Sequence, residues 1–435
     1  MREFICDNIS VNADGHLCFG GQDTAALAKQ YGTPLYLMDE DRIRRNMRVY
    51  TETFRRCFAP GSRVLYAAKA NAFRQIFRIA QEEGMGVDVV SSGEVHTAKQ
   101  AGFDMRLAYF HSNNKTDEDI RFAMDCGVGC FVVDGEEELR AISAEAERRG
   151  IQQKILLRLT PGIDPHTYAA VDTGRVDSKF GSAIETGQGE AITALALSLP
   201  GIALAGFHCH VGSQVFDEDV FERAGVVMLE FIAMIAGKYG YLAQELDLGG
   251  GYGVPYVFSD GTVDIAARIE EVAAVVHATC ARLGIAEPAF LMEPGRSIVA
   301  DAGMTLYTVG SVKRIPGYKN YVSVDGGMSD NPRYALYGSK YVCCAAEKMN
   351  EADTLRCDLV GRCCESGDII QPDILMPESM RRGDLAAVCV TGAYNYSMAS
   401  NYNRVARPPI VMLRGGESYV AVRRETPDDL IALDN

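Results

Sequence analysis

Short apolar runs that alternate with helical segments dominate the chain between residues 64 and 292. Each run has the length of a buried strand, and a segment with helical periodicity follows it. Eight such runs can be counted, at residues 64–67, 87–90, 107–110, 130–133, 155–159, 203–208, 246–248 and 289–292. Because a (β/α)8 barrel requires eight successive strand–helix units, this alternation predicts an α/β fold built on a TIM-like barrel.

After residue 301 the alternation with helices stops. Strand-like runs separated by turn signals follow, at residues 304–313, 321–324, 356–360, 385–390, 410–413 and 419–422. They predict a C-terminal all-β domain. A hairpin at residues 4–19, with Asp14-Gly15 as its turn, is expected to pair into that domain because the barrel has no place for it. The predicted domains are a barrel at 38–300 and a β-sandwich or β-barrel at 1–37 and 301–435.

The composition narrows the class of protein. A net charge of -15 argues against a nucleic-acid surface and against binding to acidic membranes. The first twenty residues lack a secretory apolar stretch, and no window is apolar enough to span a bilayer. The thirteen cysteines include no Cys-x-x-Cys pair, which is typical of reduced cytosolic cysteine without a zinc framework. A cytoplasmic protein with no metal site is expected.

Lys69 stands just beyond the first of these strands. Loss of hydration at the mouth of a buried strand would lower the pKa of a lysine and yield a nucleophilic amine, as Schiff-base chemistry requires. A lysine that only extends from a strand end into solvent is the alternative, and at this point it stays open.

Two loops follow the seventh and eighth predicted strands, where barrels often bind phosphate. Residues 249–253 are rich in glycine, so backbone N–H groups can converge on an anion there. Residues 293–296 read Glu-Pro-Gly-Arg, in which Arg296 suits a phosphate or a carboxylate. Glu293 needs a cationic partner, and a pyridinium nitrogen would serve. A tight glycine turn and an internal Glu293–Arg296 ion pair are the alternatives.

The sixth predicted strand ends in His208, Cys209 and His210, and Ser213 follows. A zinc site would need a further ligand, and none is evident in the sequence. A flat imidazole against an aromatic cofactor fits His210 better, and Ser213 can hydrogen-bond a phosphate. A long connection at residues 160–183 precedes this strand and is predicted to be a lid or a binding loop.

The all-β domain holds weaker signals. Cys364 and Glu365 lie at a strand-to-turn junction, where they could supply a proton donor and an amine-binding anion. Arg333 and Tyr337 are candidates for binding a substrate carboxylate, and Tyr394 lies in a turn of small residues. Structural cysteine and ordinary surface are the alternatives.

Taken together, these motifs resemble the fold-type III pyridoxal-phosphate amino-acid decarboxylases. The resemblance is greatest to the branch that decarboxylates meso-2,6-diaminopimelate to L-lysine and CO2. It spans nearly the whole chain. The motifs occur in order at residues 66–71, 88–94, 111–115, 178–181, 208–214, 249–253, 293–296, 364–368 and 392–394. Two departures, at Tyr334 and at Arg362-Cys363, lie among the substrate motifs.

The resemblance implies an alanine-racemase-like fold, a homodimer whose active site is shared across the interface, and pyridoxal 5′-phosphate as the cofactor. It implies that Lys69 bonds the cofactor covalently and that Cys364 of the partner subunit donates a proton. The implied cofactor-binding residues are Lys69, Asp88, His210, Ser213, Gly250, Gly251, Glu293, Gly295, Arg296 and Tyr394. The implied substrate-binding residues are Arg296, Arg333, Tyr337, Glu365 and Tyr394.

Three rival interpretations remain at this point. A decarboxylase for lysine or ornithine would present a cationic distal end of its substrate to Arg296 and Arg333. A catalytically dead homologue acting as a regulator would not need both Lys69 and Cys364. An amino-acid racemase on the same barrel would normally have an arginine in place of Glu293.

Overall fold

The computed structural model describes residues 3–163, 179–216 and 219–435. The chain divides into two compact units that interleave along the sequence. The barrel unit comprises Asn46–Gly253 and Thr262–Ser297, and the β unit comprises Met1–Arg45, Val254–Gly261 and Ile298–Asn435. The domain limits at residues 38 and 300 stay a prediction. The division adds that a short segment within the barrel sequence, Val254–Gly261, belongs to the β unit.

Eight parallel strands close into a ring in the barrel unit, which confirms the predicted TIM-like barrel. In chain order they are Arg63–Ala67, Gly86–Val89, Ala108–Phe110, Cys130–Val133, Gln153–Thr160, Ile202–His208, Glu245–Asp247 and Ala289–Met292. Leu291 of the last strand lies opposite Arg63 of the first, which completes the ring. A two-residue strand, Ser182–Ala183, pairs with the fifth strand outside the ring.

The barrel strands read as continuous apolar runs because both of their faces are covered. In the first strand Val64, Leu65 and Tyr66 are all buried. Side chains from several strands meet in one buried cluster, formed by Leu65, Tyr109, Cys130, Val132, Leu156, Ala205 and Leu291. This packed interior holds the strand ends in fixed positions, and the candidate site lies at those ends.

Helices follow the strands as predicted. The α-helices are Thr24–Tyr31, Glu40–Cys57, Arg74–Glu82, Ser92–Gln100, Asp117–Cys126, Glu136–Arg149, Gln188–Ser198, Val220–Tyr239, Ile265–Leu283, Arg296–Val299, Arg333–Tyr337 and Pro427–Ile431. Helix Asp117–Cys126 shows why the boundaries are sharp. Thr116 and Asp119 form a capping box at its start, and Gly127 ends it in the left-handed conformation.

The β unit contains one large sheet with a side branch, so the prediction of a β-rich second region is confirmed. Its strands are Leu35–Asp39, Gly303–Ile315, Lys319–Val324, Cys343–Ala345, Asp353–Val360, Ile369–Pro377, Leu385–Cys389, Ile410–Arg414 and Glu417–Val422. Strand Ile369–Pro377 is missing from the predicted strands, because Gln371, Pro372 and Asp373 interrupt its apolar pattern. In the structure Asp373 has a positive φ, and the pairing of this strand is irregular.

The N-terminal hairpin belongs to the β unit, as expected, and the Leu17 N–H donates to the carbonyl of Ala346 at 2.7 Å, but the hairpin does not join the large sheet. The hairpin itself forms, since Ile9–Val11 pairs with Leu17–Phe19. With Gln22–Asp23 it makes a separate three-stranded sheet instead of joining the large one. Strand Leu35–Asp39 takes the place in the large sheet, because its five residues are all buried and pair on both sides.

Most of the long connection before the sixth barrel strand, residues 164–178, lies outside the described residues. The predicted lid or binding loop, and Ser178 within it, therefore stay a prediction. Among the described helices, none is both long enough and apolar enough to cross a membrane.

Candidate active site

Lys69 lies in a single 3-10 turn, Ala68–Ala70, directly after the first barrel strand. The Tyr66 hydroxyl donates to the carbonyl of Asn71 at 2.9 Å, and the Ala67 N–H donates to the carbonyl of Pro294 at 3.0 Å. These bonds fix the turn against the loop that follows the eighth strand. Its backbone is therefore held by the barrel.

The Lys69 side chain is 40% exposed, and its Nζ lies 3.6 Å from Asp88 Oδ2. From the sequence, the Lys69 amine is expected to lose its hydration at the end of a buried strand. The structure instead places the amine at an open rim beside a carboxylate that is wholly buried. Burial raises the pKa of Asp88, while the nearby His111 and Lys69 lower it. The position of the Lys69 amine beside Asp88, more than loss of hydration, therefore marks Lys69 as the candidate reactive lysine.

Glu293 ends the eighth strand and lies between two imidazoles. Its Oε1 is 2.6 Å from His111 Nε2, and its Oε2 is 3.2 Å from His208 Nε2. All three side chains are buried. Burial opposes the ionisation of Glu293, but the two histidines outweigh it and hold the pKa of Glu293 well below its usual value. Burial also lowers the pKa of His208 to about 4. The site thus keeps a carboxylate ionised deep in the barrel.

His111, His208 and Glu293 also lie close enough together to be considered as metal ligands, with their ligand atoms within 4.8 Å of one another. In the sequence, no further zinc ligand is evident beside His208 and His210. The fold brings two candidate ligands, His111 and Glu293, close to His208. However, two ligand atoms on one tetrahedral zinc ion stand roughly 3.3 Å apart. The contact of 2.6 Å between His111 and Glu293 is shorter than that, so the geometry favours a direct histidine–carboxylate pair.

Three glycine-bearing loops meet at the barrel rim. A Cβ on Gly250 would lie 2.1 Å from the carbonyl oxygen of Glu293, and one on Gly251 would lie 2.1 Å from that of Gly212. Gly251 also has a φ of +133°, which strains other residues. Only glycine therefore fits at both positions, because the loop backbones pack directly against one another.

Hydrogen bonds fix the polar groups of this rim. The Arg296 guanidinium donates to Ser213 Oγ at 3.0 Å, whereas Glu293 contacts His111 and His208. The Gly250 N–H donates to His210 Nδ1 at 3.3 Å. Removal from water, together with the Lys69 charge, holds the pKa of His210 well below its usual value. A cationic group, a hydroxyl and backbone N–H groups at one rim can bind an anion.

Two residues of this region, the partly buried Arg158 and the wholly buried Asp247, were missed from the sequence. Arg158 lies in the fifth strand, 4.4 Å from the centre of the Phe180 ring and 3.9 Å from Asp134 Oδ1. The sequence signal that identifies Arg158 as a candidate is its position as the one arginine within an apolar run. Asp247 ends the seventh strand and accepts from the Gly249 N–H at 2.8 Å. Burial and the neighbouring Glu293 raise the pKa of Asp247 well above its usual value.

The first and last residues of the motif at residues 111–115 have different roles. His111 joins Glu293, as described above. Lys115 Nζ instead donates to Glu138 Oε1 at 2.8 Å and to the carbonyl of Val132 at 2.7 Å, fully buried. These contacts secure the helix Glu136–Arg149 to the fourth strand, so Lys115 is a structural residue.

The β unit brings three of the predicted substrate residues together. The Arg333 guanidinium lies 5.4 Å from the centre of the Tyr394 ring, 5.5 Å from that of Tyr337 and 6.0 Å from that of Tyr256. We call these four residues the arginine cage. Arg333 is buried, and its Nε has no hydrogen-bond partner among the described residues. Tyr394 has a φ of 62°, an uncommon conformation that aims its ring.

Cys364 and Glu365 lie on an exposed turn of the β unit. The Cys364 N–H donates to Asn403 Oδ1 at 2.8 Å. Glu365 accepts from the Gly367 N–H at 3.2 Å and from Ser366 Oγ at 3.3 Å, and these bonds lower its pKa. The Cys364 thiol is open to solvent.

Known proteins share this architecture. Residues 40–300 match the family described as pyridoxal-dependent decarboxylase, pyridoxal binding domain. The diaminopimelate decarboxylase of Bacillus subtilis is 42% identical over 425 residues, which cover 97% of this chain and 96% of that protein. The chain belongs to the diaminopimelate decarboxylase family.

Solved structures of this diaminopimelate decarboxylase family agree. A crystal structure of diaminopimelate decarboxylase from M. jannaschii superposes with a TM-score of 0.90 at 32% identity, covering 99% of this chain and 98% of that one. A co-complex of the M. jannaschii enzyme with L-lysine gives the same TM-score, identity and coverage.

Membership of the diaminopimelate decarboxylase family implies pyridoxal 5′-phosphate as the cofactor, and the residues of this barrel fit that group. An accessible amine stands at Lys69. The ionised carboxylate of Glu293 suits a protonated pyridine nitrogen, and both oxygens of buried Asp88 lack a hydrogen-bond partner among the described residues. The glycine rim with Arg296 and Ser213 suits a phosphate.

Proposed function

We propose that this chain is the enzyme that decarboxylates meso-2,6-diaminopimelate to L-lysine and CO2 with pyridoxal 5′-phosphate, the last step of lysine biosynthesis. The observation that carries the proposal is the 42% identity over 97% of the chain to an enzyme named for this activity. The lysine bound in the M. jannaschii structure is consistent with it.

When bound, pyridoxal 5′-phosphate supplies an aldehyde that condenses with amines and a ring that accepts the electron pair left by departing CO2. We assign the covalent attachment of the cofactor to Lys69. Asp88 Oδ2, 3.6 Å from Lys69 Nζ, would orient the Lys69 amine and could hold its proton.

Glu293 holds a proton at the pyridine nitrogen, because the two histidines keep its carboxylate ionised. By holding that proton, Glu293 would stabilise the charge that develops when CO2 is lost. We assign His210 to the face of the ring. The phosphate is assigned to Ser213, Gly250, Gly251, Gly295, Arg296 and Tyr394.

We assign the distal carboxylate of the substrate to Arg296, Arg333 and Tyr337, with Tyr394 beside Arg333, and the distal amine to Glu365. The Tyr337 and Tyr394 ring centres lie 5.5 Å and 5.4 Å from the Arg333 guanidinium, and its Nε has no hydrogen-bond partner among the described residues, so an N–H group remains for a planar anion. A decarboxylase for ornithine is disfavoured, because its substrate has no distal carboxylate to pair with these arginines.

The partner subunit's Cys364 is assigned the final protonation of the substrate carbon, within a homodimer. The exposure of Cys364 in a single chain supports this assignment, since a proton donor works best where water is excluded. All thirteen cysteines are free thiols, which supports a reducing compartment such as the cytoplasm.

Subunit complementation tests the shared site. Mixing inactive Lys69→Ala protein with inactive Cys364→Ala protein, followed by subunit exchange, should restore activity because mixed dimers contain one intact site. Light scattering should show a dimer. Failure to regain activity, despite proven exchange, would contradict the assignment of Cys364 to the partner.

A side-by-side assay tests the substrate. CO2 release from meso-diaminopimelate, L-lysine and L-ornithine is measured with added pyridoxal 5′-phosphate. We expect release from diaminopimelate alone. Faster release from lysine or ornithine would contradict the proposed function.

A further inference from the structure

The segment Val254–Gly261 leaves the barrel sequence and belongs to the β unit. It begins immediately after the glycine loop, and Asp260 fixes its conformation. Asp260 Oδ2 accepts from the Tyr256 N–H at 2.8 Å and from the Val257 N–H at 3.1 Å. The Asp260 N–H in turn donates to the carbonyl of Val257 at 3.0 Å. These three hydrogen bonds therefore hold the backbone at Tyr256 in one conformation.

The Tyr256 side chain is buried against two other residues of the β unit. Its ring meets the Tyr341 ring edge-on, with centres 5.4 Å apart and planes at 84°. The Arg333 guanidinium lies 6.0 Å from the same ring. Tyr341 is fixed in turn, because its N–H donates to Gln371 Oε1 at 2.8 Å. Tyr256 thus lies between Arg333 and Tyr341, whose backbone is hydrogen-bonded to strand Ile369–Pro377.

Arg333 itself has few polar restraints. Its Nη2 donates to Ser339 Oγ at 3.3 Å, and its Nε has no hydrogen-bond partner within the described ranges. It belongs to a helix of only five residues, Arg333–Tyr337. The aromatic faces of the arginine cage must therefore do much of the work of orienting the guanidinium. Of the three rings, Tyr337 is exposed, whereas Tyr256 is buried.

We propose that Tyr256 is a positioning residue, which holds the Arg333 guanidinium for the distal carboxylate and so sets selectivity for substrates that carry one. The inference rests on the proposed function. It extends that function to a residue outside the motifs by which the family was identified from sequence.

The test compares two ligands of the holoenzyme that differ by one carboxylate. L-lysine retains the distal carboxylate, and cadaverine has none. In Tyr256→Leu we expect the Kd of L-lysine to rise about tenfold, the scale of a desolvated cation–π contact. Cadaverine should bind within about twofold of wild type. KM for diaminopimelate should rise with the lysine Kd, while kcat changes less than about threefold.

Two control variants separate positioning from general damage. Tyr256→Phe keeps the ring, so L-lysine should bind within about twofold of wild type. Tyr318→Leu removes a tyrosine that is 90% exposed and should change nothing. Retention of pyridoxal 5′-phosphate, measured by absorbance, should be unchanged in every variant.

An unchanged lysine Kd in Tyr256→Leu, or an equal loss of lysine and cadaverine, would overturn the inference. So would a Tyr256→Phe variant as weak as Tyr256→Leu. Wild-type protein that neither binds L-lysine nor decarboxylates diaminopimelate would instead contradict the proposed function, so the two failures are distinguishable.

Discussion

The residues at the ends of the barrel strands and those on the turns of the β unit are held in different ways. Glu293 and His208 are buried at the ends of strands of a closed ring and contact each other directly. In the β unit, Cys364 and Glu365 are exposed, and Arg333 is oriented mainly by aromatic rings. On the proposed function, the buried strand ends of the barrel hold the cofactor, and the exposed turns of the β unit set the choice of substrate.

The largest effect should come from the barrel. Lys69→Ala removes the amine assigned to the cofactor, so turnover should fall by more than about 10³-fold and the bound-cofactor absorbance should be lost. Lys99→Ala, which changes an exposed lysine, is the matched control. Full activity in the Lys69→Ala variant would contradict the assignment of the cofactor to the barrel.

Glu293→Gln keeps the shape of the side chain but removes the charge between His111 and His208. We expect kcat to fall by about 10²- to 10³-fold, because the pyridine nitrogen would lose its anionic partner. The cofactor should stay bound through Lys69, as its absorbance would report. A kcat within threefold of wild type would show that the ionised state of Glu293 has no role in catalysis.

Cys364→Ala tests the exposed turn. Loss of a general acid should lower kcat by about 10²-fold, with KM for diaminopimelate little changed. Cys363→Ala, one residue earlier, serves as the control. An equal loss in both variants would indicate that the turn conformation, and not the Cys364 thiol, is what matters.

Arg333→Lys keeps the charge of the arginine cage but loses the planar fork. We expect KM for diaminopimelate to rise by about 10- to 30-fold while the cofactor absorbance is unaffected. Arg382→Lys, on the exposed surface, is the control. A loss of cofactor in Arg333→Lys would contradict the separation of roles between barrel and β unit.

The smallest effect concerns stability. Burial lowers the pKa of His208 to about 4 from an ordinary 6.5, so the unfolded chain binds more protons between those values. Stability therefore rises with pH from about 4 to 6.5 and is lost as the pH falls, by about 3 kcal/mol from this residue. In His208→Asn, urea unfolding at pH 7 and pH 4.5 should show a smaller pH dependence. An unchanged dependence would contradict the burial argument.

The sequence predicted the barrel well because its signals are local. An apolar run marks each strand, and residues such as Lys69 and Glu293 stand at predicted strand ends. Contacts between distant strands gave no such signal. His111 meets Glu293 only because the third and eighth strands end at the same rim, so its role as a partner of Glu293 was missed.

The β unit was harder to predict for the same physical reason. Its sheet joins strands far apart in the chain, since Leu35–Asp39 pairs with Gly303–Ile315. Tyr256 gave no signal at all, because it lies in the barrel sequence and packs in the β unit. Local patterns gave only weak signals for Arg333 and Cys364, and the resemblance to known decarboxylases strengthened the roles predicted for them.

The bond between Lys69 and the cofactor is the central claim, and it can be measured directly. Borohydride reduction of the holoenzyme fixes a carbon–nitrogen double bond, and mass spectrometry of the digest then locates the pyridoxyl group. The account predicts that the label lies on the peptide containing Lys69 and at no other lysine. An active enzyme with the label on a different lysine, or with none, would contradict it.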